Sequence, residues 1–321
     1  MRIVITGGCG FLGRRVAMRL LDRGTAAGPV EELILFDNAP PALPLPDDIR
    51  LSFVTGDIAD RATVASLIGP GTDAVFHLAA IVSGQAEADL DLGARVNVDA
   101  TRLLLDACRH AGTAPVVVFS SSVAVYGGDL PAVVDDSTPL WPASTYGTQK
   151  VIGELLLADY TRKGFVDGRA LRLPTISVRP GAPNRAASSF LSGIIREPLA
   201  GLPAVCPVAP EAQVWLASPD SAVANLVSGA ELDLGTDRRG VNLPGVSVSV
   251  GEMVRTLAAV AGPAVADLVR WEPDPTISAL VETWPARIDT GRALAAGLRA
   301  DAGFEALLEA YLRRVRSDDR A

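Results

Sequence analysis

The run Thr6-Gly7-Gly8-Cys9-Gly10-Phe11-Leu12-Gly13 decides the fold. It follows the apolar segment Ile3-Val4-Ile5 and precedes apolar residues at helical spacing, which predicts a strand, a glycine turn and a helix. Gly7 permits the tight turn, Gly10 has no side chain to hold off a pyrophosphate, and Gly13 lets the helix pack closely on the strand. Unpaired N–H groups at the helix N-terminus favour negative charge. The run therefore predicts a dinucleotide-phosphate site, with an ordinary glycine turn as the alternative.

The bulk composition excludes several classes of function. The 321 residues are enough for two domains or one large α/β unit. A net charge of −8 at pH 7 argues against nucleic acid or an anionic membrane surface as partner. Three scattered cysteines and two histidines form neither a disulfide framework nor a metal-ligand set, so we expect no metal and a reduced, cytoplasmic protein. No apolar run approaches the length of a membrane span.

Two acids follow the second and third predicted strands. Asp37 ends the apolar segment 33–36, where a carboxylate would accept hydrogen bonds from the adenosine ribose and repel a 2′-phosphate. Asn38 follows it instead of an arginine, which favours NAD over NADP. After the next strand, Asp57 is a candidate acceptor for the adenine amino group and Ile58 for contact with the ring. A plain loop aspartate at Asp37 and a helix cap at Asp57 are the alternatives.

The fourth predicted strand, 74–80, runs into small residues that would let a cofactor approach. His77, flanked there by apolar residues, is interpreted as a structural histidine. A helix is predicted from about Asp89 to Ala111, and it carries Asn97. The Asn97 amide would bond to backbone or to a water near the site, or serve only in packing.

The chemistry of the site rests on the next strand and helix. Strand 116–119 delivers Ser122 to the carboxyl edge of the sheet, where ligands of open α/β sheets bind. A helix starting near Ser144 carries Tyr146 and Lys150, which the i, i+4 spacing places on one face. A tyrosine titrates near pH 10, and a neighbouring ammonium favours the phenolate. We therefore predict Tyr146 as base, Ser122 as substrate anchor and Lys150 as activator and ribose ligand; a surface pair is the alternative.

These motifs together resemble the extended short-chain dehydrogenase/reductase family, of the nucleotide-sugar epimerase type. The resemblance implies NAD(H), a Rossmann-type doubly wound parallel sheet and a smaller C-terminal α/β substrate-binding subdomain. We expect the NAD-binding domain in residues 1–173, joined again by about 236–262, and mainly the substrate-binding subdomain in 174–321. The family also implies a homodimer, built from helices such as 89–111 and 145–163. The expected cofactor-binding residues are Gly7, Gly10, Phe11, Leu12, Gly13, Asp37, Asn38, Asp57, Ile58, Leu78, Ala79, Ala80, Asn97, Tyr146, Lys150 and Pro174.

The chain departs from two branches of the family. Val123 and Ala124 follow Ser122, where dehydratases carry an acid for water elimination. Nucleotide-sugar epimerases usually have an asparagine after Leu171-Arg172 and an arginine at the position of Gln213, and this chain has neither. These departures argue against elimination and weaken the case for a nucleoside-diphosphate ligand.

Segments 171–181, 187–190, 195–201 and 215–219 instead resemble family members that oxidise a four-carbon aldonate. That resemblance implies NAD-dependent oxidation of the C2 hydroxyl of D-erythronate, or a close relative, to a 2-oxo acid. Arg179 is the first candidate for the substrate carboxylate, whereas Arg196 is interpreted as a packing or surface-pair residue. The expected substrate-binding residues are Ser83, Ser122, Tyr146, Thr175, Arg179, Asn184 and Ser188, with Arg185 nearby. A nucleotide-sugar epimerase or reductase, a uronate dehydrogenase and a non-catalytic NAD sensor are the alternatives.

Overall fold

The computed structural model describes residues 1–41, 44–181, 186–233 and 240–318, with side chains described to residue 315. The chain forms two compact units. The first unit comprises Met1–Val125, Ser144–Arg172 and Val223–Val241. The second comprises Tyr126–Ala143, Leu173–Ala222 and Asn242–Ala321.

A seven-stranded sheet forms the centre of the first unit. Its strands are β1 (Arg2–Thr6), β2 (Glu32–Asp37), β3 (Leu51–Thr55), β4 (Ala74–His77), β5 (Val116–Ser122), β6 (Asp167–Leu173) and β10 (Val241–Asn242). Their order is β10-β6-β5-β4-β1-β2-β3, and the pairs from β3 through β5 are parallel. The order reverses between β1 and β4, the switch point at which doubly wound sheets bind ligands. The predicted Rossmann-type sheet is confirmed.

Helices cover the faces of this sheet, which explains its continuous apolar strands. Ile3, Val4 and Ile5 of β1 are fully buried. The first six helices of the chain belong to this unit: α1 (Phe11–Arg23), α2 (Arg61–Leu67), α3 (Ser83–Ala88), α4 (Leu90–Gly93), α5 (Ala100–Ala111) and α6 (Thr145–Arg162). The helix predicted over 89–111 is confirmed as one continuous helical run, Leu90–Ala111, whose middle segment, Ala94–Asp99, is π-helical. Such segments often occur at functional sites.

The second unit is built from smaller sheets and its own helices. Its strands are β7 (Thr175–Ile176), β8 (Ala204–Cys206), β9 (Gln213–Ala217), β11 (Val246–Ser249) and β12 (Val269–Trp271). They form the sheets β11-β9-β7 and β12-β8. The remaining helices are α7 (Phe190–Leu199), α8 (Pro219–Gly229), α9 (Val250–Ala261), α10 (Pro263–Ala266), α11 (Pro275–Glu282), α12 (Gly291–Ala295) and α13 (Phe304–Asp318), with α8 extending from the second unit into the first. Ser249 caps α9 by accepting from the Glu252 N–H at 3.1 Å.

The units do not follow the predicted domain boundaries. Residues 126–143 belong to the second unit, and the chain returns to the first over Val223–Val241 instead of 236–262. The return ends where it does because β10 pairs beside β6, whereas β11 pairs antiparallel with β9 of the second unit. At the end of α8, Gly229 also lies against Leu171 of β6. The functional names of the two domains stay predictions.

No helix among the described residues combines the length and the apolar character needed to cross a membrane.

Glycine at position 153 is required for the packing of α6 on β5. A Cβ atom there would lie 2.5 Å from Cζ of Phe119, a ring that is 2% exposed. We expect Gly153→Ala to lower the free energy of unfolding by about 1–3 kcal/mol through overpacking. Gly69→Ala is the matched control, since nothing lies within 4 Å of that Cβ position. Thermal and denaturant unfolding check this, and equal stability of the two variants would contradict it.

Candidate active site

The glycine turn after β1 contacts the end of β4. Gly7 has a φ of +69°, and a Cβ atom there would lie 2.7 Å from the Ala79 nitrogen. At Gly13, a Cβ atom would collide with the Gly7 carbonyl oxygen. Two chain segments therefore meet at the switch point only because these positions lack side chains. The predicted cofactor residues Leu78 and Ala79 lie on this contact, and Ala80 follows them directly in the chain.

The first turn of α1 has free capacity to bind an anion. Gly10 is the N-cap residue and provides no side-chain cap, and no acid lies in the first turn, which begins with Phe11 and Leu12. A Cβ atom at Gly10 would approach only the Gly7 carbonyl oxygen, at 3.2 Å, so the outer side of the turn is open. Backbone N–H groups at such a terminus fit a pyrophosphate.

The Asp37 carboxylate at the end of β2 is joined to the glycine turn. Its Oδ2 accepts from the Cys9 N–H at 3.0 Å, and its Oδ1 accepts from the Asn38 N–H at 2.8 Å. The predicted ribose-binding acid is thus held beside the predicted phosphate site. A carboxylate oxygen accepts more than one hydrogen bond, so this arrangement retains capacity for ribose hydroxyl groups.

Asp57 follows β3 and is engaged with two donors. Its carboxylate accepts from the Ala59 N–H at 2.9 Å and from Arg95 Nη1 at 2.6 Å. These hydrogen bonds lower the pKa of Asp57, the Ala59 N–H having the larger effect. The helix-cap alternative is wrong, because Asp60 caps α2 by accepting from the Thr63 N–H at 2.8 Å. Ile58, which follows Asp57 and is the predicted contact for the adenine ring, is 6% exposed.

His77 is a structural residue, as the sequence indicates. Its ring nitrogens lie 2.7 Å from the Thr6 hydroxyl and 3.0 Å from the Thr101 hydroxyl. Burial, with a smaller contribution from the Lys150 charge, lowers the pKa of His77 to about 3. The neutral ring therefore ties the end of β1 to β4 and α5.

Asn97 lies in the π-helical segment, and its side chain forms hydrogen bonds with the backbone of Ile81 and with the side chain of Gln149. Its amide accepts from the Ile81 N–H at 2.8 Å and donates to the Ile81 carbonyl at 3.0 Å. It also donates to Oε1 of Gln149 at 2.7 Å. Gly93 leaves room for Gln149, whose Nε2 would lie 2.6 Å from a Cβ atom there. Asn97 thus fixes the loop after β4, near Ser83 at the start of α3, to the helix that bears Lys150.

The three predicted catalytic residues lie on two packed elements of the first unit. Ser122 ends β5 and accepts from the Ala124 N–H at 3.1 Å, and α6 packs against that strand. Ser144 caps α6 by accepting from the Gly147 N–H at 3.1 Å, which starts the helix just before Tyr146.

The Lys150 ammonium is almost completely buried. The side chain is 2% exposed, with Nζ 4.7 Å from the centroid of the Phe119 ring and 5.5 Å from that of Tyr146. Burial lowers the pKa of Lys150 to about 7, and the charge of Glu154 acts in the opposite direction. The surface-pair alternative is therefore wrong for this lysine.

Reasoning from the sequence missed three polar residues that bond to each other at this helix: Glu154 of α6, Ser121 of β5 and Arg172 of β6. Glu154 accepts from Arg172 Nε at 2.9 Å and Nη2 at 2.7 Å, and from the Ser121 hydroxyl at 2.5 Å. The i+4 spacing from Lys150 to Glu154 was the available signal. Its partners come from β5 and β6, which no local pattern pairs with a helix residue.

The predicted residues of the second unit lie on separate elements. Thr175 begins β7 after Pro174, and Ser188 lies in the short helical segment Ala187–Ser189. The backbone N–H of Arg179 donates to the Ser192 hydroxyl at 3.1 Å. Arg196 donates to the Arg179 carbonyl at 2.8 Å and pairs with Glu197, which confirms its packing interpretation. Asn184 and Arg185 lie outside the described residues.

Comparison with known proteins identifies the family. The model of the NAD dependent epimerase/dehydratase family matches residues 3–225, well over half of the chain. The chain belongs to this family. The family name fits the glycine turn, the acid after β2 and the Tyr146/Lys150 pair described above.

Within the NAD-dependent epimerase/dehydratase family, the chain is similar over nearly its full length to two relatives of known name. The chain is 58% identical to a D-erythronate dehydrogenase of Cupriavidus necator, with 97% of this chain and 98% of the relative covered. It is 46% identical to a D-erythronate dehydrogenase of Haemophilus influenzae, with 97% and 99% covered. The crystal structure of a protein named as a nucleoside-diphosphate-sugar epimerase from Agrobacterium tumefaciens superimposes with a TM-score of 0.92 at 43% identity, covering 98% and 94% of the two chains.

The buried histidine predicts a dependence of stability on pH. Its folded-state pKa of about 3 lies below the ordinary 6.5, so the unfolded chain binds the extra proton between these values. Stability from this group is complete above pH 6.5 and falls by about 1.4 kcal/mol per pH unit below it. We expect His77→Gln to be less acid-sensitive than the wild type in denaturant titrations at several pH values. Parallel stability curves for the two proteins would contradict this expectation.

Proposed function

We propose that this family member oxidises the C2 hydroxyl of D-erythronate, or of a closely related sugar acid, with NAD⁺ as the oxidant. The observation that carries the proposal is the Tyr146/Lys150 pair: a partly exposed phenol one helical turn from a buried ammonium, on a helix packed against the strand that ends in Ser122. The names of the two full-length relatives support the substrate class.

The first unit contains residues suited to the cofactor. The open turn at Gly10 and the uncapped N-terminus of α1 would take the pyrophosphate, and Asp37 the adenosine ribose. Asp57 would accept from the adenine amino group with the neighbouring residue against the ring, and Lys150 would bind the nicotinamide ribose. NAD⁺, when bound, accepts the hydride that leaves C2 of the substrate.

Tyr146 and Ser122 would handle the substrate hydroxyl. The Ser122 hydroxyl donates a hydrogen bond to the C2 oxygen and holds it in line, and the Tyr146 phenolate takes the hydroxyl proton as the C2 carbonyl forms. The Lys150 ammonium favours the phenolate, because an opposite charge nearby stabilises the ionised form. The proton leaves Tyr146 for solvent after the reaction.

The second unit would recognise the rest of the sugar acid. Arg179 is proposed for the carboxylate, because a guanidinium matches carboxylate geometry with two parallel hydrogen bonds. Thr175 and Ser188 of this unit are proposed for the hydroxyl groups, as is Ser83 of the first unit. Nucleotide-sugar epimerisation is the second candidate, favoured by the name of the 43% identical protein from Agrobacterium tumefaciens. The missing asparagine after Arg172 and the glutamine at position 213 argue against it.

The assembly and location are part of the proposal. We propose a homodimer built on the outer faces of α5, α6 and neighbouring segments. On α6, Ile152 and Leu155 are 37% and 63% exposed. The three cysteines are free thiols, in keeping with a reducing cytoplasm.

A substrate panel tests the reaction. The purified protein and NAD⁺ are offered D-erythronate, L-threonate, D-glucuronate and UDP-glucose separately, and NADH absorbance is followed. We expect NADH from D-erythronate. NADH from glucuronate alone would indicate a uronate dehydrogenase, and conversion of UDP-glucose without net NADH would indicate an epimerase.

Tyr146→Phe tests the assignment of the base within the same assay. We expect kcat to fall by about 10²–10⁴-fold, the usual contribution of general base catalysis. Tyr160→Phe is the matched control on the same helix, because it removes a hydroxyl that donates to Asp106 at 2.8 Å. A Tyr146→Phe enzyme as active as the control would contradict the proposed mechanism.

Asp37 predicts the choice between the two nicotinamide cofactors. Its carboxylate would repel a 2′-phosphate, so the wild type should prefer NAD⁺ over NADP⁺. We expect Asp37→Ser to reduce the ratio of kcat/KM values for NAD⁺ and NADP⁺ by about tenfold or more, equivalent to about 1.4 kcal/mol. An unchanged ratio would contradict the assignment of Asp37 to the ribose.

A further inference from the structure

Three charged side chains of the first unit are buried together around α6. Lys150, Glu154 and Arg172 are 2%, 6% and 2% exposed. Within the described part of the chain, Glu154 is the only acidic residue that is buried. The group therefore contains two positive charges and one negative charge when Lys150 is protonated.

The Glu154 carboxylate joins three elements of the sheet and helix layers. It pairs with Arg172 of β6 at 2.7 Å and accepts from the Ser121 hydroxyl of β5 at 2.5 Å. Ser121 directly precedes Ser122, and the spacing Tyr146, Lys150, Glu154 places these residues one turn apart on one helix face. Through its carboxylate, this helix face is tied to the strand that carries Ser122.

We propose that Glu154 is a positioning residue: its carboxylate fixes α6 in register against the strand that ends in Ser122, and it compensates the buried charges of Lys150 and Arg172. The catalytic part of this inference rests on the proposed function of Tyr146 and Lys150. The structural and electrostatic part does not.

The charge balance explains why a carboxylate is needed. Burial disfavours the charged form of Lys150, and Glu154 acts against that effect. Without Glu154, two cations would remain out of water, and only the lysine is able to lose its proton because a guanidinium stays charged. A neutral amine would no longer stabilise the Tyr146 phenolate. Glu154 therefore acts on the reaction through Lys150.

Other charged or titratable groups on the elements around α6 do not replace Glu154. On β4, burial keeps His77 neutral by lowering its pKa to about 3. Nearby groups on the packed helical segments have partners of their own. Glu87 of α3 accepts from the Thr145 N–H, Asp106 of α5 accepts from the Tyr160 hydroxyl, and Arg95 pairs with Asp57.

The chain allows a direct measurement, because Lys150 and Lys163 are its only two lysines. With lysine labelled by ¹⁵N at Nζ, each side chain gives its own pH titration by NMR, and Lys163 serves as the internal reference. We expect Glu154→Gln to lower the Lys150 midpoint by about one pH unit or more. We expect Arg172→Met to raise it, because Glu154 then faces Lys150 alone.

Ser121→Ala tests the register role with little change in charge. We expect kcat for D-erythronate to fall by about tenfold with KM unchanged, as small displacements of catalytic groups have large effects on rate. Thr161→Ala is the matched control, because it removes a buried hydroxyl of α6 that donates within the helix, to the Leu157 carbonyl at 2.7 Å. We expect the control to lose a similar amount of thermal stability and to keep its kcat.

A Lys150 midpoint that is unchanged in Glu154→Gln would overturn the charge-compensation role. If that variant fails to fold, as breaking a buried pair permits, the absence of an upward shift in Arg172→Met overturns the same role. If neither folds, a wild-type kcat in Ser121→Ala overturns the register role. The lysine titration needs no substrate, so it decides the inference even if the wild type forms no NADH from any sugar acid.

Discussion

A lysine ammonium held out of water is the interaction on which the site depends. Removing an ammonium from water is unfavourable unless opposite charge or polarisable surface replaces the lost hydration. Here the faces of Phe119 and Tyr146 surround Nζ, and the Glu154 carboxylate lies one turn further along the same helix. This arrangement requires α6 to pack closely on β5, which Gly153 allows. One stretch of helix therefore links the packing of the first unit to the proposed ionisation of Tyr146.

The switch point of the sheet is held together by backbone contacts. Gly7 brings the turn after β1 against Ala79 after β4, at the point where the strand order reverses. The neutral His77 ring, between two threonine hydroxyl groups, holds the ends of the same two strands together. Small residues and a buried neutral histidine thus shape the switch point at which the cofactor is proposed to bind.

Much of this architecture was predictable because it is encoded locally. The glycine turn, the apolar strands, the start of α6 at Ser144 and the structural character of His77 all follow from short patterns. The π-helical segment was not predictable, since a pattern of apolar residues does not reveal one added residue in a helical turn. The Glu154 network was missed because its partners lie on β5 and β6, far away in the sequence. Residues 126–143 group with the second unit through bonds to residues far away in the sequence, such as Arg287 and Asn242, which no local pattern reveals.

The most direct test of the central claim uses D-erythronate carrying deuterium at C2. If Tyr146 removes the hydroxyl proton while the C2 hydrogen passes to the cofactor, the deuterium must appear in the reduced nicotinamide. The oxidation should also slow relative to unlabelled substrate whenever this step limits the rate. Reduced cofactor without deuterium would contradict oxidation at C2, and deuterium retained in a product formed without NADH would contradict dehydrogenation itself.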